Sequence, residues 1–475
     1  MKSPLFAAID LGSNSFHLLV VKASGGHVQT LAKVKRKVRL AAGLDSHYQL
    51  DDAAMQRGWE CLALFAERLR DIPAGQVKVV ATATLRFARN AERFLVHAEQ
   101  LLGHPITVIT GEQEAELIYQ GVAQTCGQPG RRLVVDIGGA STELIIGEGA
   151  QALALTSLEM GCVTFQEQFF ADGQLTAGAF ARAIAAARQR LQGISDTYRQ
   201  LGWQHCVGAS GSVQAVQEVQ LARGEDETVT LARLRQTQAD TIACKNLTAL
   251  TLNGLSEERK PVFVAGLAIL LAIFEELSVT SMEASGGALR EGVIYSLLPI
   301  VSADVRSRTL AALEERFSLD ANHGRRVADT AVRLVADAEA DSGVLVAAAR
   351  LHELGLAVGF KGASDHGAYL VSHLDLPGFS APERRQMVTL VGHQQGPLPD
   401  ILSPEVLALR LAVLLCGERQ APPASATVHW PEAQQLQLQL PADWLATRPL
   451  MQALLQEEQQ TLAAAGWQLL VEPQP

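Results

Sequence analysis

The stretch Asp10-Leu-Gly-Ser-Asn-Ser15-Phe-His-Leu18 occurs a second time as Asp136-Ile-Gly-Gly-Ala-Ser141-Thr-Glu-Leu144, with Asp, Gly, Ser and Leu recurring in register. An apolar run precedes each copy (Leu5 to Ile9; Arg132 to Val135) and another follows it (Leu18 to Lys22; Leu144 to Gly147). Each copy therefore reads as a hairpin: strand, tight Gly/Ser turn, strand. A unit used twice predicts a duplicated domain. Turn chemistry alone does not require Asp and Ser to recur. A loop whose glycines admit a ligand, and whose successive N–H groups nest around an anion, does.

Around the hairpins, helical and strand-like segments alternate. Ala53 to Arg70 carries Met55, Trp59, Leu62 and Phe65 at helical spacing, Val77 to Ala81 and Ile106 to Ile109 read as short strands, and Glu112 to Ala123 as a helix. After the second hairpin come a helix from Thr176, a strand ending in Val207-Gly-Ala-Ser-Gly-Ser212, an apolar run from Pro261 to Phe274, and Gly286-Gly-Ala-Leu-Arg-Glu291. From about Asp304 the signals are helical, Gln420 to Ala424 reads as a linker, and a small mixed unit follows. The expected class is α/β: two duplicated domains (1–122 and 123–302), an all-α domain (303–419) and a small C-terminal α+β domain (420–475). A duplicated α/β pair places its ligand in the cleft between the halves.

Composition sets limits. The 475 residues carry 40 Lys+Arg against 50 Asp+Glu, net −10, which speaks against a generic nucleic-acid binder. Residues 1–120 hold 14 basic and 12 acidic side chains, so this acidity lies beyond the first half. Six scattered cysteines without a CxxC pair indicate neither a disulfide framework nor a zinc finger. The run from Pro261 to Phe274 is short of the roughly twenty residues of a membrane span, and Asp10 interrupts the N-terminal apolar stretch before a signal-peptide core could form. A cytoplasmic protein without a membrane segment is expected.

Ser13, Asn14, Ser15, Ser141 and Thr142 offer hydroxyl and amide donors, and Gly138 and Gly139 offer close approach. Asp10 and Asp136 are acids among phosphate donors, which makes sense with a hard cation, Mg²⁺, between them and the phosphate. Gly211 and Ser212 open a helix where anions are favoured, and Arg290 can fork onto a phosphate. In Thr110-Gly-Glu112-Gln-Glu114-Ala-Glu116, Thr110 and Gln113 resemble a capping box, and Glu112 and Glu116 share one helix face. Glu114 points the other way, so it can face something else. Arg86, at the carboxyl end of a strand, is a candidate clamp for a terminal phosphate. Lys33, Lys35, Lys37 and Arg39 alternate onto one strand face, a row that either protects a sheet edge or draws in a polyanion.

In the helical module His323, His352, Glu353, His366 and His393 are metal-ligand types. They resemble the HD phosphohydrolase pattern, yet Glu353 stands where that pattern has Asp, and no later Asp occurs near Cys416-Gly417. These departures favour a helical scaffold that has lost such a site.

Six motifs in order, DLGSNSFH (Asp10 to His17), TATLR (Thr82 to Arg86), GEQEAELIYQGVA (Gly111 to Ala123), DIGGASTEL (Asp136 to Leu144), GASGSV (Gly208 to Val213) and GGALREG (Gly286 to Gly292), resemble the Ppx/GppA phosphatases of the actin-like ATPase superfamily. Within that family, KVKRKVRLAAGL (Lys33 to Leu44) is most similar to the branch acting on guanosine pentaphosphate. The resemblance implies actin-like (ribonuclease H-like) halves, an HD-like helical domain and a homodimer. It implies hydrolysis of pppGpp to ppGpp and phosphate in the stringent response, with polyphosphate as an overlapping or even principal substrate. It makes Glu114 the general base and gives Mg²⁺ to Asp136 and Glu143 with Asp10 nearby. The Ser, Asn, Gly and Thr positions named above would cradle phosphates, and Arg86 would hold the terminal one.

Overall fold

β1 (Leu5–Leu11) and β2 (Ser15–Ser24) pair antiparallel with Asp10 opposite His17, as β6 (Arg131–Ile137) and β7 (Thr142–Glu148) do with Asp136 opposite Glu143. Both predicted hairpins thus form in the computed structural model, which describes residues 4–24, 27–299, 304–336, 342–430 and 434–474. The chain falls into two compact units, Met1–Val305 and Arg306–Pro475.

In the first unit, β3 (His27–Lys37), β4 (Val77–Ala81) and β5 (Ile106–Val108) complete a sheet of order β3-β2-β1-β4-β5. With β8 (Gln151–Leu158), β9 (His205–Gly208) and β10 (Glu283–Ala284), the second sheet runs β8-β7-β6-β9-β10. The two orders are the same when read from the respective hairpins, so the duplication is one of topology as well as motif: two actin-like α/β halves.

Strand alternation explains how the sheets bury both faces. On β1, Ala7, Ile9 and Leu11 enter the core under the helices Asp52–Leu69 and Ala91–Leu102, while Phe6 and Ala8 enter a core between the sheets. On β6, Leu133, Val135 and Ile137 face the outer helices of the second half, and Val134 faces the shared core. Two helices fill that shared core, Gly111–Ala123 and Leu289–Tyr295, and they touch backbone to backbone. A Cβ on Gly292 would stand 1.7 Å from the Leu117 carbonyl oxygen, and one on Gly121 2.1 Å from that of Ala288. The apolar run from Pro261 lies in one helix, Lys260–Leu277, with every residue from Phe263 to Phe274 buried. Among the described residues, no helix is long and apolar enough to cross a membrane.

In the second unit, the helices Ala321–Leu334, Ser342–Arg350, Ala363–His373, Ala381–Gly392 and Pro404–Leu415 precede a sheet of β11 (Thr427–His429), β12 (Gln435–Pro441) and β13 (Gln468–Gln474). Leu345, Leu390 and Leu409 share one core with Val428, Leu436 and Leu438. Arg410 bridges helix to tail, donating to both carboxylate oxygens of Glu458 at 2.7 and 2.8 Å. The expected boundary between 302 and 303 lies outside the described residues.

Candidate active site

Alternation also places the chemistry. The neighbours of Asp10 and Asp136 on their strands, Ile9, Leu11, Val135 and Ile137, turn to the outer cores, so both carboxylates turn toward the space between the sheets. His17 follows the parity of Leu19 and Val21, and Glu143 that of Ile145, so all four side chains converge on one cleft. The cleft has a volume of about 310 Å³, within the range of small-ligand sites. The two hairpin turns meet on its floor: a Cβ on Gly139 would lie 2.8 Å from the Cβ of Ser13.

Each turn is closed alike. A Cβ on Gly12 would press on the Ser15 carbonyl oxygen at 2.9 Å, and one on Gly138 on that of Ser141 at 3.0 Å. Ser13, Asn14, Ser15, Gly138, Gly139 and Ser141 all line the cleft. The helix Gly211–Ala222 starts there too, bringing Gly211 and Ser212. Asp10 Oδ1, Ser15 Oγ, His17 Nε2 and Ser210 Oγ are buried at this site without a protein hydrogen-bond partner, an arrangement that favours a polar ligand.

The carboxylates are under strain of charge. Burial raises Asp10 to about 7 and Asp136 to about 6; Arg290 opposes both shifts. Burial and the charge of Asp136 also raise Glu143, which accepts a hydrogen bond from Ser157 Oγ at 2.7 Å. Such a set is costly to ionise unaided. Its hard oxygens fit a divalent cation such as Mg²⁺, as does the orphaned Oδ1 of Asp10.

Glu114 sits on the cleft wall, in the first turn of Gly111–Ala123. The Thr110–Gln113 capping box forms reciprocally, at 3.1 and 2.9 Å. Glu112 and Glu116 are exposed, whereas Glu114 is buried. Burial and then the charge of Glu143 push its carboxyl up, against the pull of Arg86.

Two expected phosphate ligands stand elsewhere. Thr142 is buried outside the cleft lining, and its hydroxyl donates to the Met160 carbonyl; it has the parity of Leu144 and Ile146, which face the outer core. Arg86 is also outside the lining. It sits in a short helix, Ala83–Phe87, and its Nη1 donates to Glu114 Oε2 at 3.1 Å and to the Ile109 carbonyl at 2.9 Å. Arg39 leaves the predicted basic row because β3 ends at Lys37 and Arg39 has a φ of +52°.

Cationic groups also line the cleft: Arg290, as expected, with Lys35 and Arg259. Arg259 escaped the sequence reading. It lies over Gly211, where a Cβ would meet its guanidinium carbon at 2.4 Å. The only local hint is a glycine at a helix start. Burial, and then these cations, hold His17 down at about 3, so it is neutral at pH 7.

Residues 19–300 match the Ppx/GppA phosphatase family, and residues 305–459 match domain III of Ppx/GppA phosphatases. The chain belongs to the Ppx/GppA family. Among its Ppx/GppA relatives, proteins named guanosine-5'-triphosphate,3'-diphosphate pyrophosphatase are 49% identical in Vibrio vulnificus and 48% identical in Photobacterium profundum. Each alignment covers 99% of this chain and 98% of the relative. Among solved structures, the Aquifex aeolicus PPX-GPPA enzyme is 25% identical with a TM-score of 0.53, covering 62% of this chain and 99% of that one. An exopolyphosphatase from Cytophaga hutchinsonii shares the fold at 22% identity and a TM-score of 0.57, covering 62% and 97%.

Proposed function

We propose that this Ppx/GppA protein hydrolyses the terminal 5'-phosphate of guanosine pentaphosphate, giving ppGpp and phosphate in the stringent response, with exopolyphosphatase activity beside it. The observation that carries this reading is the buried Glu114 carboxylate, facing a cleft whose floor is a pair of matching phosphate-type loops. The names of the relatives supply the nucleotide.

The chain's own groups account for the chemistry. Backbone N–H groups of the loops around Ser13–Ser15 and Gly138–Ser141, and of the helix start at Gly211–Ser212, bind phosphate oxygens. Arg290, Arg259 and Lys35 offset their charge. Arg86 holds one oxygen of Glu114, which leaves Oε1 to take a proton from water; this makes Arg86 a positioning residue. Asp136 and Glu143, with Asp10 nearby, would hold Mg²⁺. Among the described residues, three ligand atoms of His, Cys, Asp or Glu lie within 4.8 Å of one another only in the second unit, at His323, His352 and Glu353. The cleft carboxylates therefore suit an ion bound through one or two of them, with water and phosphate completing its shell. An ion held there by these carboxylates would supply positive charge beside the phosphates.

Exopolyphosphatase as the main activity is the second reading, favoured by Lys33, Lys35 and Lys37 along the edge strand β3, of which Lys35 reaches the cleft. Phosphate release from pppGpp and from long-chain polyphosphate, compared as kcat/KM in one preparation, decides between them. Release from neither overturns both. Six scattered cysteines with no disulfide between them support a cytoplasmic location. The family resemblance, with Phe360 and Ile401 exposed at 90% and 83%, supports a homodimer that sedimentation tests.

A further inference from the structure

The second unit holds a group of side chains that phosphate hydrolysis in the cleft does not use. His323 lies in the first turn of Ala321–Leu334, where Asp320 caps the helix by accepting from the His323 backbone N–H at 3.0 Å. His352 and Glu353 follow the end of Ser342–Arg350. The imidazoles meet edge to face, with ring centroids 5.1 Å apart, and are only 4% and 7% exposed. One ligand atom from each of His323, His352 and Glu353 lies within 4.8 Å of the other two.

The hydrogen bonds show which atoms are available. His352 Nδ1 is 2.7 Å from the Ala349 carbonyl oxygen, an acceptor only, so Nδ1 carries the proton and Nε2 keeps its lone pair. That outer contact is the one a metal-bound imidazole ordinarily makes. His323 Nδ1 is buried without a partner. Glu353 is oriented by Arg419, whose Nη2 and Nη1 donate to its two oxygens at 2.6 and 3.0 Å. In a tetrahedral site with bonds of about 2.1 Å, ligand atoms stand roughly 3.4 Å apart.

We propose that His323, His352 and Glu353 bind one divalent transition metal of the zinc class in the helical unit, separate from the Mg²⁺ of the cleft. Two imidazoles and one carboxylate select such an ion over Mg²⁺, which takes oxygen ligands, and leave a coordination position open for water or an anion. His366 and His393, which share the sequence pattern, do not join; His393 Nδ1 sits 3.0 Å from the Pro397 carbonyl. This runs against the expectation that the module has lost its site. Glu353 stands where the pattern has Asp, and one of its ligand atoms lies within 4.8 Å of those of the two rings.

The test uses the full chain, stripped with chelator and kept in excess Mg²⁺, titrated with Zn²⁺ against a chromophoric competitor. One equivalent of Zn²⁺ is expected to bind tightly, and X-ray absorption at the zinc edge is expected to show two imidazoles in its shell. His323→Ala and Glu353→Gln should each weaken binding on the order of 10-fold or more, and Glu143→Gln in the cleft should leave it unchanged. A shell with fewer than two imidazoles, no competition for zinc, or a loss confined to Glu143→Gln overturns the proposal. If His323→Ala does not fold by circular dichroism, the partly exposed Glu353 and the wild-type absorption spectrum still decide.

Discussion

Arg86 Nη1 lies 3.1 Å from Glu114 Oε2 and 2.9 Å from the Ile109 carbonyl oxygen, so one nitrogen ties the proposed base to the end of the strand before its helix. The guanidinium pulls the Glu114 pKa down against burial and Glu143. Removing it with Arg86→Gln should therefore raise that pKa and move the acid limb of the kcat/KM profile to higher pH, with a larger loss at pH 6 than at pH 8.5. A phosphate clamp would instead raise KM alike at both. Glu114→Gln should lower kcat on the order of 10²-fold or more while pppGpp binding persists; a near-normal rate removes Glu114 from the mechanism.

Metal and pH are coupled through the paired aspartates. Asp10 titrates at about 7 and Asp136 at about 6 in the fold, above the 3.8 of a free side chain. The folded protein thus binds more protons than the unfolded chain between pH 4 and 7. Its metal-free stability falls as pH rises through that window, and the loss is complete above about 7. Mg²⁺ must displace those protons. The rise in Tm caused by Mg²⁺ should be near zero at pH 5 and grow to the order of a few degrees at pH 8. Thermal melts with and without Mg²⁺ across that range measure it, and a pH-independent shift would take these carboxylates out of metal binding.

How far the sequence reaches is seen at individual positions. The register of Asp10 with Asp136 announced the hairpins, the duplication and the cleft, because two loops cannot share a ligand unless their strands share parity. The same parity rule shows why Thr142 faces away: it falls in step with Leu144 and Ile146, not with Glu143. Arg86 could not be placed from sequence, since its direction depends on a one-turn helix that begins where β4 ends. Arg259 had no spacing to any loop motif; only folding brings its helix over Gly211. The meeting of His323 with His352 is likewise tertiary, as the two lie on different helical segments.

The basic row on β3 divides into positions with different neighbours. Lys35 lines the cleft, Lys37 Nζ donates to the Glu258 carbonyl at 2.6 Å, and Lys33 is exposed on the same edge strand, outside the lining. Lys35→Gln should raise KM for pppGpp severalfold and flatten its dependence on salt, as loss of one cation facing a polyanion requires. Lys33→Gln should change neither for pppGpp. If Lys33→Gln raises KM for long-chain polyphosphate alone, the edge strand guides long polymers; if it changes neither substrate, the row beyond Lys35 is edge protection.

Two glycine substitutions should act with opposite sign. Gly292 is where the helix Leu289–Tyr295 meets the helix carrying Glu114, and an alanine Cβ would fall 1.7 Å from the Leu117 carbonyl oxygen. That oxygen is backbone and cannot swing aside, so Gly292→Ala must part the helices. It should destabilise by about 1–3 kcal/mol or more, in the range of overpacked cores. Because Glu114 rides on the displaced helix, kcat per folded molecule should fall as well. Gly193 lies inside the helix Ala177–Leu201, and a Cβ there meets nothing within 4 Å. Gly193→Ala should stabilise by about 0.5–1 kcal/mol by restricting the unfolded chain and favouring the helix, with kcat unchanged. Denaturant midpoints and single-preparation rates for the pair test both halves of the argument. A Gly292→Ala protein as stable and as active as the parent would mean that the two helices do not hold Glu114 in place by close backbone contact.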